Sequence, residues 1–449
     1  MEVTVRRFPT ESQPLTNIAP VKRGMSWVSW ALLRAMRSIS KLEMARQLEF
    51  IHFARWQRVR WRDLPHLGPA QPREHFKNDF FLFATNYNGD WDQYIDSFAR
   101  VPRIERGMWW LWRFSRGYPG PLPIRTFKDW IRYHTYAERF YYSAYPRSTV
   151  RNIAAALAVK HELDRFVDES FPTETTAEFK ARYLRMVRQL APCLGSAPGV
   201  RPTTAPRTSP EEPPTPAGAV TVGRTPAPTR ARLLGPRWST APLVGPVLGR
   251  LAGQGHNSQS YLTAMSPIEV KPAHAVTDAI IDFIDELNRG RGFESFAKCP
   301  MLHMARILII DDLRPALGVA GAGSLKSNYL LFIADVDGSV DDFLDALYTA
   351  DPELVDRLWG SCLGYPSDRG SPVFLRRYIE RCRLRTHLPF AAFPRETARE
   401  VRGALELHAN LLEWIAWVPM QKKKMTDAQL KSAWEDWVNR FVLGGAEHR

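Results

Sequence analysis

Cysteine is scarce in this chain, and the few residues present form no recognisable site. Cys193, Cys299, Cys362 and Cys382 show neither a CxxC pair nor a metal-ligand spacing. A disulfide scaffold and a zinc module are therefore not expected, and reduced thiols of a cytosolic protein are. No run reaches 18 apolar residues, so no membrane-spanning helix is expected. The charged stretch 1–7 leads into no apolar core, so no secretory signal is expected either. A Gly-rich phosphate loop is missing, because 318–323 reads as a loop between two strands rather than a strand-to-helix turn. Zinc-finger spacings and RNP-like aromatic strands are missing as well. The net charge of +14 thus implies no specific nucleic-acid partner, since it comes mostly from dispersed Arg, with one compact run at Lys422–Lys424.

What the chain does have is aromatic bulk and self-similarity. Fifteen Trp are present, nine of them between Trp27 and Trp130, enough to line wide packing surfaces between two halves. Sliding the chain over itself by about 250 residues aligns several blocks in order. His52-Phe53-Ala54-Arg55 meets His303-Met304-Ala305-Arg306. Phe83, Gly89, Asp92 and Asp96 meet Phe332, Gly338, Asp341 and Asp345, with Asn86 and Asn88 facing Asp335 and Asp337. Gly117-Tyr118-Pro119 meets Gly364-Tyr365-Pro366, and Ala144-Tyr145-Pro146-Arg147 meets Ala392-Phe393-Pro394-Arg395. An internal duplication is the reading.

Each half reads alike. In the second, strands are expected at 262–270, 301–310, 328–335 and 388–392, and helices at 273–287 and 339–348. Ser339 and Asp342 fit a capping box, and Pro394 is expected in the first turn of a trailing helix that Pro419 ends. The order is β-α-β-β-α-β plus that helix, the split βαβ pattern. The first half repeats it, with strands at 51–59, 80–86 and 140–144 and helices at 27–48, 90–99, 146–167 and 177–190. Between the halves, 196–248 hold 12 of the 35 Pro and read as an extended linker without a core of its own. The expected organisation is a first repeat with a helical extension at 1–192, a linker at 193–258, a second repeat at 259–418 and a last helix at 419–449.

Two βαββαβ units in one chain, over about 26–168 and 262–417, resemble the dimeric α/β-barrel superfamily. The resemblance implies an α+β fold in which tandem ferredoxin-like repeats form an intramolecular barrel. Its members include monooxygenases and haem enzymes such as the dye-decolourising peroxidases, which implies an oxidoreductase, with or without haem as the cofactor. Those peroxidases carry Gly-x-x-Asp-Gly with an Arg and a proximal His. Here Ala334-Asp335-Val336-Asp337-Gly338 keeps Asp337-Gly338 and replaces the first Gly by Ala, while the first half reads Thr85-Asn86-Tyr87-Asn88-Gly89. By that likeness Asp337 takes the distal acid position and His303 the haem-binding one.

The strongest local signal is His-x-Ala-Arg in both halves: His52 and Arg55, His303 and Arg306. Strand alternation puts each His and its Arg on opposite faces. An Arg within an aliphatic strand needs a partner. Asp335 and Asp337 are the expected partners of Arg306, which leaves Arg55 for an anionic ligand. Two readings stand. In one, these are repeated structural pairs of a non-catalytic scaffold that recruits partners. In the other, His52, Arg55, His303, Arg306 and Asp337 serve a small, largely hydrophobic, carboxylated molecule held in the barrel. The helix at 27–48, basic with two Trp, reads either as a packing helix or as one that touches a membrane surface.

Overall fold

The computed structural model describes residues 8–38, 49–100, 112–169, 174–194, 259–318, 325–366, 371–421 and 425–443. Residues 195–258 of the expected linker and the Lys422–Lys424 run lie outside the described residues, and Cys193 and Leu194 end a helix instead.

The fold is α+β, built on two antiparallel sheets. The first contains β1 (Ser12–Pro20), β2 (Ile51–Val59), β3 (Phe80–Asn88) and the short β4 (Thr135–Tyr136). The second contains β6 (Gln259–Val270), β7 (Leu302–Ile310) and β8 (Ser327–Asp337). Two further strands, β5 (Phe140–Ser143) and β9 (Leu388–Ala391), are exchanged. β5 follows the first sheet in the chain but pairs with β7, while β9 follows the second and pairs with β2. The orders are β4-β1-β3-β2-β9 and β5-β7-β8-β6. Each crossing segment first touches the sheet it comes from, β4 along β1 and Arg383 in a bridge to Ala264. No ladder joins the sheets into one closed barrel among the described residues, which corrects the expected closure. The physical reason lies in these two crossings, where the chain passes between sheets and leaves each ladder with an end.

The strands are apolar on both faces because both are covered. Val59, Phe80 and Leu82 of the first sheet meet Met265, Leu308, Leu331 and Ile333 of the second in one intersheet core. The outer faces carry helices. On the first sheet lie α1 (Ser26–Ser38), α2 (Trp91–Arg100) and α3 (Ile124–His134). Trp112 and Trp130, wholly buried and edge-to-face at 5.5 Å, pack there. Trp91, Trp112 and Trp130, with Trp56 packed against them, thus fill the helix–sheet layer.

On the second sheet lie α6 (Ala275–Leu287), α7 (Arg291–Ala297), α8 (Val340–Ala350), α9 (Pro352–Trp359) and α10 (Pro372–Cys382). The remaining helices, α4 (Val150–Asp168), α5 (Thr176–Leu194), α11 (Ala398–Gln421) and α12 (Asp427–Val438), share an aromatic core of Phe166, Tyr183, Trp414, Trp434 and Trp437. The Trp414 indole N–H donates to the Tyr183 hydroxyl at 3.0 Å.

Repeated local signals explain why elements begin where they do. Gly89 (φ 90°) and Gly338 (φ 67°) turn β3 and β8 into their helices, and Gly117 (φ 73°) and Gly364 (φ 72°) share a second left-handed turn. Ser339 caps α8 by accepting from the Asp342 amide at 3.0 Å. Thr149 and Thr397, not the expected Pro146 and Pro394, stand at the starts of α4 and α11. The Thr397 hydroxyl accepts from the Glu400 amide while the Glu400 carboxylate takes the Thr397 amide, and this reciprocal pair sets the start. At the other end α11 runs past Pro419 to Gln421. Trp414 and Trp417 of its last turns pack on α12, and that burial outweighs the one hydrogen bond Pro419 removes.

Candidate functional site

The polar residues inside the intersheet space form one reciprocal network. Arg55 leaves β2 and crosses to the second sheet, where it donates to the Leu262 carbonyl at 2.7 Å, the Thr263 hydroxyl at 3.2 Å and the Ala334 carbonyl at 3.3 Å, and pairs with Asp335. Arg306 leaves β7 and crosses the opposite way. It donates to the Leu15 carbonyl at 3.0 Å, the Thr16 hydroxyl at 3.2 Å and the Thr85 carbonyl at 2.8 Å, and to Asn86. Asn86 in turn donates to Asp335 at 3.0 Å. Glu138, buried in the β4–β5 crossing, lies 3.6 Å from Arg306. Burial pushes the Glu138 carboxyl up, and the Arg306 charge opposes that rise.

This overturns the expected pairing. Asp335 belongs to Arg55, so Arg55 is not held open for an anion. Asp337 belongs to His303. Each Arg points across the intersheet space, where the polar ends of the opposite sheet are nearer than those of its own neighbouring strand.

His52 and His303 are each an extra residue in a ladder. Ile51 faces Tyr87 and Phe53 faces Asn86, so His52 is skipped, and Leu302 and Met304 skip His303 in the same way. These are paired β-bulges, which break the strict alternation expected from sequence and re-aim the imidazoles. The Asp337 carboxylate accepts from His303 Nε2 at 2.7 Å and from the Ala398 amide, at the start of α11, at 2.7 Å. That sets the tautomer, so His303 Nδ1 accepts from the Tyr145 hydroxyl at 3.0 Å. Burial holds the Tyr145 phenol well above its usual range, hence protonated. Tyr145 is a functional candidate the sequence reading missed.

The corresponding place around His52 lacks these groups. Asn88 stands where the other has Asp337, and accepts from the Val150 amide at 2.8 Å as Asp337 does from Ala398. Phe393 stands where the other has Tyr145. Neither His52 nitrogen makes a hydrogen bond within ordinary limits, although Asn88 is the polar side chain beside it. Burial pulls His52 down to about 3, so it is neutral.

A cleft of about 520 Å³ opens next to the intact member of the pair. Gln259, Tyr261, Arg383, Arg385 and Thr386 are among the residues that line it. Gln259 joins it to the centre, its side-chain nitrogen lying 3.5 Å from His303 Nε2. Tyr261 carries Arg55 over its ring at 5.1 Å. The wall is polar, with Arg383, Arg385 and Glu380 as its charged residues. A second cleft of about 350 Å³, with Trp61, His66 and Glu74 in its wall, lies away from these residues.

Haem does not fit the histidines present. An axial ligand needs one ring nitrogen facing open space, but both His303 nitrogens are engaged and its ring lies 5.1 Å from Phe53. His52 is buried and lines neither cleft. Among the described residues no group of three or more His, Cys, Asp and Glu could hold a metal ion. Compared with known protein families, curated proteins and solved structures, the chain matches none.

Proposed function

We propose that the chain is an internally duplicated pair of ferredoxin-like units that keeps one acid–base centre, Asp337–His303–Tyr145, serving a small carboxylate-bearing molecule in the adjoining cleft. The observation that carries this reading is the unequal pair of histidines. The same bulge places both, yet only His303 has an acid on one side and a phenol on the other. Packing alone gives no reason for the difference, since His52 is accommodated without either group. In the proposed role Asp337 orients His303, and Tyr145 takes a proton from the ligand as its own proton passes to His303 Nδ1, so that the pair acts as a base without a free phenolate. Arg385 supplies charge for a carboxylate, beside Arg383, which is paired with Glu380 of the same wall at 3.4 Å. The oxidative role that the resemblance implies forms part of this proposal only as a reaction class, and no haem step is included.

A thermal-shift screen of the full chain against small aromatic and aliphatic carboxylic acids tests it. Some acids are expected to raise the melting temperature, and Tyr145→Phe and His303→Gln are expected to weaken that rise. If no acid shifts the wild-type chain, the reading fails. A non-catalytic scaffold is the second reading, favoured by the complete internal pairing of Arg55 and Arg306. A shift that persists unchanged in both variants supports that alternative.

A further inference from the structure

The described residues leave one helix face both apolar and basic. Met25, Trp27 and Trp30 are 42 %, 69 % and 37 % exposed. Burial of large side chains is the rule elsewhere in the fold, so three such residues within six positions are unusual. Trp27, Trp30 and Arg34 follow one another at spacings of three and four, a single stripe of α1, and Arg23 stands in the turn just before the helix. Lys22, Arg23 and Arg34 are exposed, and the Arg34 guanidinium lies 6.0 Å from the Trp30 ring. The opposite side of α1 is accounted for, because Ser29 and Leu33 are buried and Leu33 joins the core of the first sheet.

The duplication supplies a control within the molecule. α6 holds the corresponding place in the second half, and there Asp278, Asp282 and Asp285 are exposed. Asp278 corresponds to Trp27 and Asp285 to Arg34 by the displacement of about 250 residues. A helix that needs only to cover a sheet can carry carboxylates outside, as α6 does. The Trp and Arg of α1 therefore have another use.

We propose that the Trp27–Trp30–Arg34 face of α1, with Arg23 of the preceding turn, seats the protein on an anionic lipid surface. Indole rings favour the boundary between headgroups and acyl chains, where the ring is apolar and its N–H stays wet. Flanking guanidinium groups meet the lipid phosphates or carboxylates, and the net charge of +14 adds long-range attraction. The stripe lies parallel to the surface, as for helices that rest in the interface rather than cross it.

The test is co-sedimentation of the full chain with phosphatidylcholine vesicles containing roughly 30 % phosphatidylserine, at low salt. Binding is expected, with quenching of tryptophan fluorescence by brominated lipid. Trp27→Ala/Trp30→Ala is expected to lower the partition coefficient roughly tenfold at an unchanged melting temperature. Arg23→Gln/Arg34→Gln is expected to remove most of the preference for phosphatidylserine over pure phosphatidylcholine. Absence of binding by the wild-type chain overturns the proposal, as does binding that the Trp variant leaves intact. Concentration-dependent self-association that the Trp variant abolishes, without vesicle binding, also overturns it and assigns the face to the acidic α6 of a second copy.

Discussion

Arg55 makes in one direction across the intersheet space the set of contacts that Arg306 makes in the other. Each reaches two backbone carbonyls, one threonine hydroxyl and one side chain of the facing β8 or β3. Two-fold interfaces between identical subunits show reciprocity of this kind. Only the last partner differs, a carboxylate for Arg55 and an amide for Arg306. Removing Asp335 strands a buried charge, whereas removing Asn86 leaves Arg306 its carbonyls and Glu138 nearby. Asp335→Ala is therefore expected to cost about 3–5 kcal/mol in urea denaturation. Asn86→Ala is expected to cost about 1–3 kcal/mol. The double change Arg55→Met/Asp335→Leu should recover most of the first loss. Equal costs for the two single variants would contradict this account.

Stability should fall on the acid side through the buried histidines. His52 is held down at about 3, and His134 at about 4, both by burial. The folded state thus binds fewer protons than the unfolded chain, whose histidines titrate near 6.5. Their contribution is complete above that value and is lost as pH drops toward 4 and 3. Each group steepens the decline by about 1.4 kcal/mol per pH unit within its window. His52→Leu is expected to flatten the slope between pH 6 and 4, measured as unfolding free energy against pH. A slope that the variant does not change would show that His52 is not neutral in the fold.

Most strands could be read from the sequence because both faces of each are covered, so runs such as Leu302–Ile310 are apolar throughout. Exchange of β5 and β9 could not, since it is written in main-chain hydrogen bonds that carry no side-chain signature. The bulges at His52 and His303 were hidden for a related reason. A skipped residue leaves the residue pattern unchanged while reversing which face the imidazole meets. Of the candidate residues, His303 and Asp337 come together, and His52, Arg55 and Arg306 do not join them in hydrogen bonding. Tyr145 had a usable signal: within the repeated block Ala-Tyr-Pro-Arg and Ala-Phe-Pro-Arg, it supplies the one hydroxyl that its counterpart lacks.

Two glycines separate backbone strain from crowding. Gly338 has φ 67° and open space where a Cβ would be, while Gly364 has φ 72° and would place a Cβ 2.4 Å from that of Leu67. Gly338→Ala is expected to cost about 1–2 kcal/mol, the left-handed strain alone. Gly364→Ala adds displacement of Leu67 to the same strain and should cost clearly more, about 3 kcal/mol or above. Chemical denaturation of the two variants side by side measures the difference, and equal losses would mean that Leu67 moves aside freely.

The degenerate histidine can be used to test what its intact counterpart does. Asn88→Asp places a carboxylate beside His52 and keeps the acceptor for the Val150 amide, though it loses the donation to the Glu11 carbonyl at 3.2 Å. Phe393→Tyr adds the hydroxyl that Tyr145 supplies on the other side. Main-chain geometry is already matched, since Ala392 donates to the His52 carbonyl at 2.9 Å and Ala144 to that of His303 at 2.8 Å. Together the two changes should raise the His52 pKa from about 3 by several units, because an adjacent carboxylate favours the imidazolium. Histidine ring-proton NMR as a function of pH reads this directly, with the His52 resonance assigned by its loss in His52→Gln. If His52 keeps its low pKa in the double variant, burial alone governs that site.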